Sequence, residues 1–205
     1  MIEQEISYTL RCDGCTRIYQ SVTAVRWRLP KFTLRDGHFQ YTSGDHGRQY
    51  VEKFRVLQRP KAAETLCIPI ASRFMGLADI VVGPTTGGAI VAYEIARQMD
   101  IRCFLAERVA PGSSELYFKR GFTFKSGERV LVVDDVYTTG TSIAETIRAV
   151  RKAGGEVVGA AVLINRTGVS AYPEGVHLYA TSYISLETYR PSDCPLCAKG
   201  VPLTV

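Results

Sequence analysis

The sequence lacks three features that would assign it to a special class of protein. No apolar run reaches the roughly 18 residues that a membrane span needs, so we expect a soluble protein without a membrane partner. Residues 1–5 have neither the basic start nor the apolar centre of a secretory signal, which predicts a cytoplasmic protein with reduced thiols. No long block of lysine or arginine marks a nucleic-acid-binding tail. The excess of 25 Lys and Arg over 20 Asp and Glu is mild, and it suits a phosphorylated small molecule as well as nucleic acid.

Short apolar runs, Gly- or Thr-rich turns and amphipathic stretches alternate from residue 78 onwards, as in parallel strand and helix units. The pattern predicts strands at 78–82, 101–106, 129–133, 156–164 and 176–180. It predicts helices that end near Met99 and Ala153. Because the strands are almost continuous runs of Val, Ile and Leu, we expect both sheet faces to be covered. The fold class is therefore α/β, with a mostly parallel central sheet flanked by helices.

The first part of the chain has a different character. Turn signals at Asp36-Gly37 and Ser43-Gly44 lie among alternating residues and predict a small β-rich N-terminal appendage. A helix is predicted to begin at Pro60, and Pro69 predicts a kink or break in it near residues 65–68. Residues 107–121 form a long connection with a Pro-Gly-Ser-Ser tip, which predicts a functional or disordered segment with a mobile tip.

The strongest motif covers residues 132–142, Val-Val-Asp-Asp-Val-Tyr-Thr-Thr-Gly-Thr-Ser, between a buried strand and a helix. Backbone N–H groups at a helix N-terminus, with hydroxyls beside them, can cradle a phosphate, and Gly140 lets the backbone come close. Asp134 and Asp135 would repel that phosphate, but they can accept hydrogen bonds from two ribose hydroxyls. The motif therefore fits a ribose 5-phosphate better than a plain helix cap with two solvated carboxylates.

This motif resembles the phosphoribosyl pyrophosphate motif of type I phosphoribosyltransferases. Further residues resemble orotate phosphoribosyltransferases in particular: Gly37-His38-Phe39, Ser43-Gly44, His46, Tyr50, Lys53, Asn165-Arg166, Cys194-Pro195-Leu196-Cys197 and Gly200-Val201-Pro202-Leu203. The resemblance covers residues 37–205, predicted to be the transferase domain, and leaves residues 1–36 as an appendage that the family does not explain.

The resemblance implies a type I phosphoribosyltransferase fold and transfer of the phosphoribosyl group to orotate, giving orotidine 5'-monophosphate and pyrophosphate. It also implies Mg²⁺ as a cofactor and a homodimer in which the long loop closes over the neighbouring active site. The chain departs from the best-known members at Thr85-Thr86-Gly87, where those have a Tyr-Lys pair, and loop cations are expected to compensate. The predicted catalytic residues are Asp134, Asp135, Lys119 and Arg108. The predicted substrate-binding residues are Val136, Tyr137, Thr138, Thr139, Gly140, Thr141, Ser142, Arg166, Lys53, Arg120, Thr86 and Gly87. Arg166 is assigned to orotate because a guanidinium can hold a carboxylate through two hydrogen bonds.

Two Cys-x-x-C pairs lie at opposite ends of the chain, at Cys12 and Cys15 and at Cys194 and Cys197. If the termini meet, the four thiolates form a structural zinc site; otherwise they are two independent reduced pairs. Cys67 and Cys103 lie among apolar residues and are predicted to fill the core.

Two other functions remain open at this point. One is a regulator that senses phosphoribosyl pyrophosphate and binds nucleic acid, which the scattered basic residues disfavour. The other is a phosphoribosyltransferase for a different base, against which Arg166 argues.

Overall fold

The central element of the structure, a computed structural model, is a six-stranded sheet. Residues 5–8, 22–25, 34–41 and 43–204 are described. The strands within these ranges are β1 (Glu5–Tyr8), β2 (Val22–Val25), β3 (Leu34–Gln40), β4 (His46–Val51), β5 (Ile80–Pro84), β6 (Arg102–Arg108), β7 (Leu116–Phe118), β8 (Arg129–Tyr137), β9 (Glu156–Asn165) and β10 (Leu178–Tyr183). The helices are α1 (Phe54–Leu57), α2 (Pro60–Phe74), α3 (Gly87–Met99), α4 (Thr141–Lys152) and α5 (Pro195–Ala198).

The sheet has the order β10-β9-β8-β5-β6-β7, and all neighbouring strands are parallel except β6 and β7. This confirms the predicted α/β class with a mostly parallel sheet. The sequence predicts that the last strand begins at residue 176, whereas β10 begins at Leu178.

Both faces of the sheet are covered, which explains the continuous apolar runs. Ile80 and Val82 of β5 pack in one buried cluster with residues of α4, whereas Val81 between them packs with residues of α2 and α3. The middle of such a strand therefore contributes alternate side chains to two cores, and polar residues are confined to the strand ends. No described helix combines the length and the apolar composition needed to cross a bilayer.

The break predicted near residues 65–68 is wrong, because α2 continues from Pro60 to Phe74 with Pro69 inside it. Proline removes one backbone hydrogen bond, but the apolar face of this helix is buried on both sides of it. Leu66 is 4% exposed and Ile70 is fully buried. Packing against the sheet and α3 outweighs the lost hydrogen bond.

The N-terminal part contains two antiparallel strand pairs, β1 with β2 and β3 with β4, as predicted for the β-rich appendage. Ser43-Gly44 forms the predicted turn, with Gly44 at a φ of 87°. Asp36-Gly37 is instead an irregularity within β3, where the register with β4 shifts. Gly37 serves close packing there, because an added Cβ would lie 2.6 Å from Thr204 Oγ1 and 2.9 Å from the Phe39 ring.

Strand order places the two Gly- and Thr-rich turns beside each other. The chain leaves β5 for α3 on one face of the sheet and leaves the adjacent β8 for α4 on the other. Open α/β sheets bind ligands at the carboxyl ends of strands where the connections diverge in this way. The site is therefore expected between the turn at 85–88 and the loop at 138–140.

The long connection at 107–121 is a β-hairpin. Arg108 pairs with Leu116 across β6 and β7, and the Val109 N–H donates to the Glu115 carbonyl at 3.0 Å. Ordered backbone pairing at its base leaves residues 110–114 as the exposed tip.

Candidate active site

Two buried carboxyl groups lie at the carboxyl end of β8. Asp134 is 7% exposed and Asp135 is 3% exposed. The Asp135 N–H donates to Asp134 Oδ1 at 2.8 Å, and the Val136 N–H donates to Asp135 Oδ1 at 2.6 Å. Lys53 brings its ammonium group to 2.7 Å from Asp135 Oδ2. The acidic pair is therefore held in a fixed geometry by its own strand and by one cation from the N-terminal part.

One carboxyl group of this pair, that of Asp134, has a raised pKa. Burial and, next, the charge of the neighbouring Asp135 carboxylate raise the pKa of Asp134 to about 7, although hydrogen bonds from the Asp135 N–H and Ser142 and the charge of Lys53 oppose the shift. A carboxyl group with a pKa near 7 binds or releases its proton as its surroundings change. Such groups are common where a ligand completes the site.

The turn after β5 approaches the acidic pair so closely that it requires glycine. A Cβ added to Gly87 would lie 1.6 Å from Asp135 Oδ2 and 2.7 Å from Asp135 Cγ. A Cβ on Gly88 would lie 2.7 Å from Asp134 Oδ1. Side-chain-free backbone is thereby placed against both carboxyl groups, while Thr85 and Thr86 stay exposed beside it.

We expect Gly87→Ala to raise roughly 10-fold the KM for phosphoribosyl pyrophosphate, the substrate that the sequence resemblance implies, and to lower the free energy of unfolding by about 1–3 kcal/mol. The added methyl group must displace Asp135, which is buried and already bound to Lys53 and the Val136 N–H. Steady-state kinetics and thermal unfolding measure the two effects. Ile90→Ala, at an exposed site of the same helix, is the control. An unchanged KM in Gly87→Ala would contradict the close approach of this turn to the acidic pair.

The loop after β8 has the form expected of a phosphate cradle. Gly140 precedes α4 with a φ of 82°, and an added Cβ there would lie 2.5 Å from the Tyr137 hydroxyl. Thr139 and Thr141 share a hydrogen bond between their hydroxyls at 3.0 Å. The first turn of α4 contains no acidic residue, so the N-terminal end of the helix dipole is not neutralised by its own side chains.

Arg166 lies at the carboxyl end of β9, one strand away. The backbone N–H of Arg166 donates to the Tyr137 carbonyl at 2.9 Å, which fixes the Arg166 backbone beside the phosphate loop. Its guanidinium lies over the Tyr41 ring, 4.4 Å from the centroid. The buried Arg166 Nε has no hydrogen-bond partner among the described residues and is an unsatisfied donor beside the phosphate loop.

Comparison with known proteins assigns the family. The phosphoribosyl transferase domain family matches residues 61–176. The orotate phosphoribosyltransferase of Pelotomaculum thermopropionicum is 45% identical over 170 residues, which cover 82% of this chain and 87% of that protein. The chain belongs to the orotate phosphoribosyltransferase family. This finding confirms the main prediction rather than either alternative.

Solved structures of orotate phosphoribosyltransferases share the fold. The Aeropyrum pernix enzyme has a TM-score of 0.63 and 28% identity, covering 74% of this chain and 88% of that one. The Mycobacterium tuberculosis enzyme in complex with 5-phospho-α-D-ribosyl 1-diphosphate has a TM-score of 0.54 and 28% identity, covering 65% of this chain and 80% of that one.

In this orotate phosphoribosyltransferase family member, the predicted loop cations are bound within their own hairpin and to α4. Arg108 lies 3.1 Å from the buried Glu145 carboxylate of α4 and also donates to the Ser113 carbonyl. Lys119 and Arg120 lie 3.8 Å and 3.3 Å from Glu107. The side chains of Lys119 and Arg120 are 47% and 67% exposed, so a small movement of the hairpin can redirect them.

The cysteines divide in a way that the sequence only partly anticipates. Cys67 is fully buried and Cys103 half-buried, in agreement with the predicted core role, and burial raises the pKa of the Cys67 thiol to about 12. Cys194 and Cys197 lie together beside two histidines of the N-terminal hairpin. Cys12 and Cys15 lie outside the described residues, so their predicted role in zinc binding stays a prediction.

Sequence reasoning missed two residues that support the site. Tyr41 stacks on Arg166 from a part of the chain 125 positions earlier, and Glu145 anchors Arg108 from the buried side of α4. The one available signal for Glu145 was a carboxylate on an otherwise apolar helix face. For Tyr41 the sequence contains no such signal, because an aromatic residue beside a turn is common.

Proposed function

We propose that this protein transfers the phosphoribosyl group from phosphoribosyl pyrophosphate to orotate, forming orotidine 5'-monophosphate and pyrophosphate. The observation that carries the proposal is Arg166. This guanidinium lies beside the phosphate loop, stacks on Tyr41 and has a buried donor without a partner among the described residues. Orotate is a planar ring with a carboxylate, which suits a guanidinium that offers two parallel donors.

The substrates are assigned to separate parts of the site. The loop at 136–142 takes the 5-phosphate, because it offers backbone N–H groups, hydroxyls and the end of a helix. Asp134 and Asp135 accept hydrogen bonds from the ribose hydroxyls. Backbone N–H groups around Thr86 and Gly87 face the pyrophosphate, since no side chain at Gly87 blocks their approach.

Mg²⁺ fits this site as an ion carried by the substrate. Carboxylate oxygens are ligands that Mg²⁺ prefers, and Asp134 and Asp135 supply them at the end of β8. Lys53 already neutralises Asp135, so the pyrophosphate and ribose oxygens would hold most of the ion's coordination positions. When bound, Mg²⁺ neutralises negative charge on the leaving pyrophosphate.

Catalysis then depends on positioning and charge. As the bond from the anomeric carbon to pyrophosphate breaks, positive charge develops on the ribose, and the Asp134 and Asp135 carboxylates lie next to it. The orotate ring nitrogen attacks the same carbon and loses its proton, which the departing pyrophosphate takes up, while Arg166 holds the ring in line. No covalent intermediate with the protein is required, because the residues bind, orient and exclude water.

Lys119, Arg120 and Arg108 are proposed to act on the pyrophosphate when the hairpin closes. The carboxylates of Glu107 and Glu145 pair with these cations and hold the hairpin in one position. Lys119 and Arg120 are exposed at the base of the hairpin. From the family resemblance we further propose that the hairpin closes over the active site of a neighbouring subunit in a homodimer. The cytoplasmic location likewise stays a prediction from the N-terminal residues.

A panel of bases tests the proposal. The protein is incubated with phosphoribosyl pyrophosphate, Mg²⁺ and one of orotate, uracil, adenine, hypoxanthine or guanine, and pyrophosphate release is measured. We expect release with orotate at least 100-fold faster than with any other base, since only orotate pairs a carboxylate with Arg166. Release with another base and none with orotate would overturn the proposal.

A further inference from the structure

We propose that His38, His46, Cys194 and Cys197 form a structural zinc site that joins the N-terminal hairpin to the C-terminal tail. Each residue offers one ligand atom, and the four atoms all lie within 4.8 Å of one another. Cys197 Sγ lies 3.2 Å from His46 Nδ1 and 3.7 Å from His38 Nε2. Cys194 Sγ lies 3.5 Å from His38 Nε2, and the two histidine nitrogens are 3.0 Å apart.

These four distances, 3.0–3.7 Å, are close to those of tetrahedral coordination. A zinc ion with bonds of about 2.3 Å to sulfur and about 2.0 Å to nitrogen holds its donor atoms roughly 3.3–3.8 Å apart. All four donors lie within 4.8 Å of one another, so side-chain shifts of up to about 1 Å would let them surround one ion. Two thiolates with two imidazoles favour Zn²⁺ over Mg²⁺ or Ca²⁺, which prefer oxygen ligands. Because all four positions are filled by protein, the site is structural rather than catalytic.

The surroundings of His38 fix the nitrogen that faces the cluster. His38 Nδ1 lies 2.7 Å from the Val201 carbonyl, so Nδ1 carries the proton and Nε2 presents its lone pair to the thiols. Zinc-binding histidines are usually oriented by such a bond from the second ring nitrogen. His38 and Cys194 are 1% and 2% exposed, so without an ion these polar groups would be buried against one another.

Backbone pairing brings the ligands together from distant parts of the chain. The Thr204 N–H donates to the His38 carbonyl at 2.6 Å, and the His46 N–H donates to the Tyr189 carbonyl at 2.8 Å. The same hairpin carries Tyr41, which lies over Arg166. An ion at this place would therefore fix the hairpin against the tail and hold Tyr41 in position, outside the acidic pair and phosphate loop.

This ligand set differs from the one predicted from the two Cys-x-x-C pairs. Tetrahedral zinc takes four ligands, and the described residues supply all four. Cys12 and Cys15 are then not required. The two ligand sets share Cys194 and Cys197, so the histidines and the N-terminal cysteines distinguish them.

Metal analysis of the full-length protein, purified without added metal or a metal-affinity step, tests the proposal. We expect about one zinc per chain in the unaltered protein and in the Cys12→Ser/Cys15→Ser variant. We expect less than about 0.2 zinc per chain in His46→Asn and in Cys197→Ser, whose thiol is at the exposed side of the cluster. Zinc-free unaltered protein, or loss of zinc from the Cys12→Ser/Cys15→Ser variant with retention in His46→Asn, would overturn the assignment.

A spectroscopic measurement on the unaltered protein tests the site without relying on variants that could fail to fold. Unaltered protein stripped of metal and loaded with Co²⁺ should show the intense visible absorption of tetrahedral cobalt and a thiolate charge-transfer band in the near ultraviolet. Weak octahedral absorption would contradict the proposal. A disulfide between Cys194 and Cys197 would contradict it too, and it would be detected as two thiols that do not react with a thiol reagent in the unfolded, unreduced protein. Neither measurement depends on turnover, so the zinc site and the proposed function can fail separately.

Discussion

Arg166→Ala is expected to lower kcat/KM for orotate roughly 10²–10⁴-fold and to change the affinity for phosphoribosyl pyrophosphate less than about 3-fold. Each charge-assisted hydrogen bond contributes about 1.5–3 kcal/mol, and a bidentate pair loses two of them. The phosphate loop is expected to remain intact, because the Arg166 backbone N–H that donates to the Tyr137 carbonyl is retained in alanine. Steady-state kinetics for orotate and equilibrium binding of phosphoribosyl pyrophosphate measure the two quantities.

Two further variants make the Arg166 result specific. Arg166→Lys keeps the charge but not the planar pair of donors, so an intermediate loss is expected. Arg148→Ala removes an exposed arginine of α4 that pairs with Glu174, and its kinetics should match the unaltered protein. Equal losses of orotate use and phosphoribosyl pyrophosphate binding in Arg166→Ala would contradict the role of Arg166 in binding orotate.

Asp134→Asn is expected to lower kcat/KM for phosphoribosyl pyrophosphate roughly 10–100-fold while making the protein more stable above pH 7. Activity falls because a neutral amide cannot replace a carboxylate that binds ribose hydroxyls through charge-assisted hydrogen bonds. Stability rises because burial and the Asp135 charge disfavour the ionised form of Asp134, as its pKa of about 7 indicates. Asparagine keeps the oxygen that accepts from the Asp135 N–H.

The pH dependence of this stability has a definite sign. In the unfolded chain Asp134 titrates near 3.8, so between about pH 4 and pH 7 the native state holds a proton that the unfolded state has lost. The unaltered protein therefore loses stability as the pH rises through this window, and Asp134→Asn removes that contribution. Since each pKa unit corresponds to about 1.4 kcal/mol, we expect the variant to be up to about 4 kcal/mol more stable at pH 8 and nearly equal at pH 4. Thermal unfolding at the two pH values tests this expectation. A variant that is less stable than the unaltered protein at pH 8 would contradict the claim that ionisation of Asp134 destabilises the fold.

Much of the fold could be predicted because the signals are local. The parallel strands are buried on both faces, so their apolar runs are continuous, and the turns between them use glycine and threonine. The two wrong details both involve tertiary packing that outweighs a local rule. Pro69 stays within α2 because the helix face around it is buried, and Gly37 permits contact with Thr204 instead of forming a turn.

The site divides in the same way. The acidic pair, Gly140 and Arg166 lie at strand ends, where sequence order and strand order bring them together. The pairing of Tyr41 with Arg166 and of His38 with Cys194 joins residues more than 120 positions apart in the chain. Such contacts depend on how the N-terminal hairpin docks, and neither periodicity nor turn chemistry in a single sequence encodes that docking.

The central claim is that this site joins orotate to the phosphoribosyl group. Its most direct test is mass spectrometric identification of the product formed from orotate, phosphoribosyl pyrophosphate and Mg²⁺, together with the amount of pyrophosphate released. The account predicts orotidine 5'-monophosphate and pyrophosphate in equal amounts, both abolished when orotate is omitted. Pyrophosphate release that is independent of orotate, or no nucleotide product with orotate present, would contradict it.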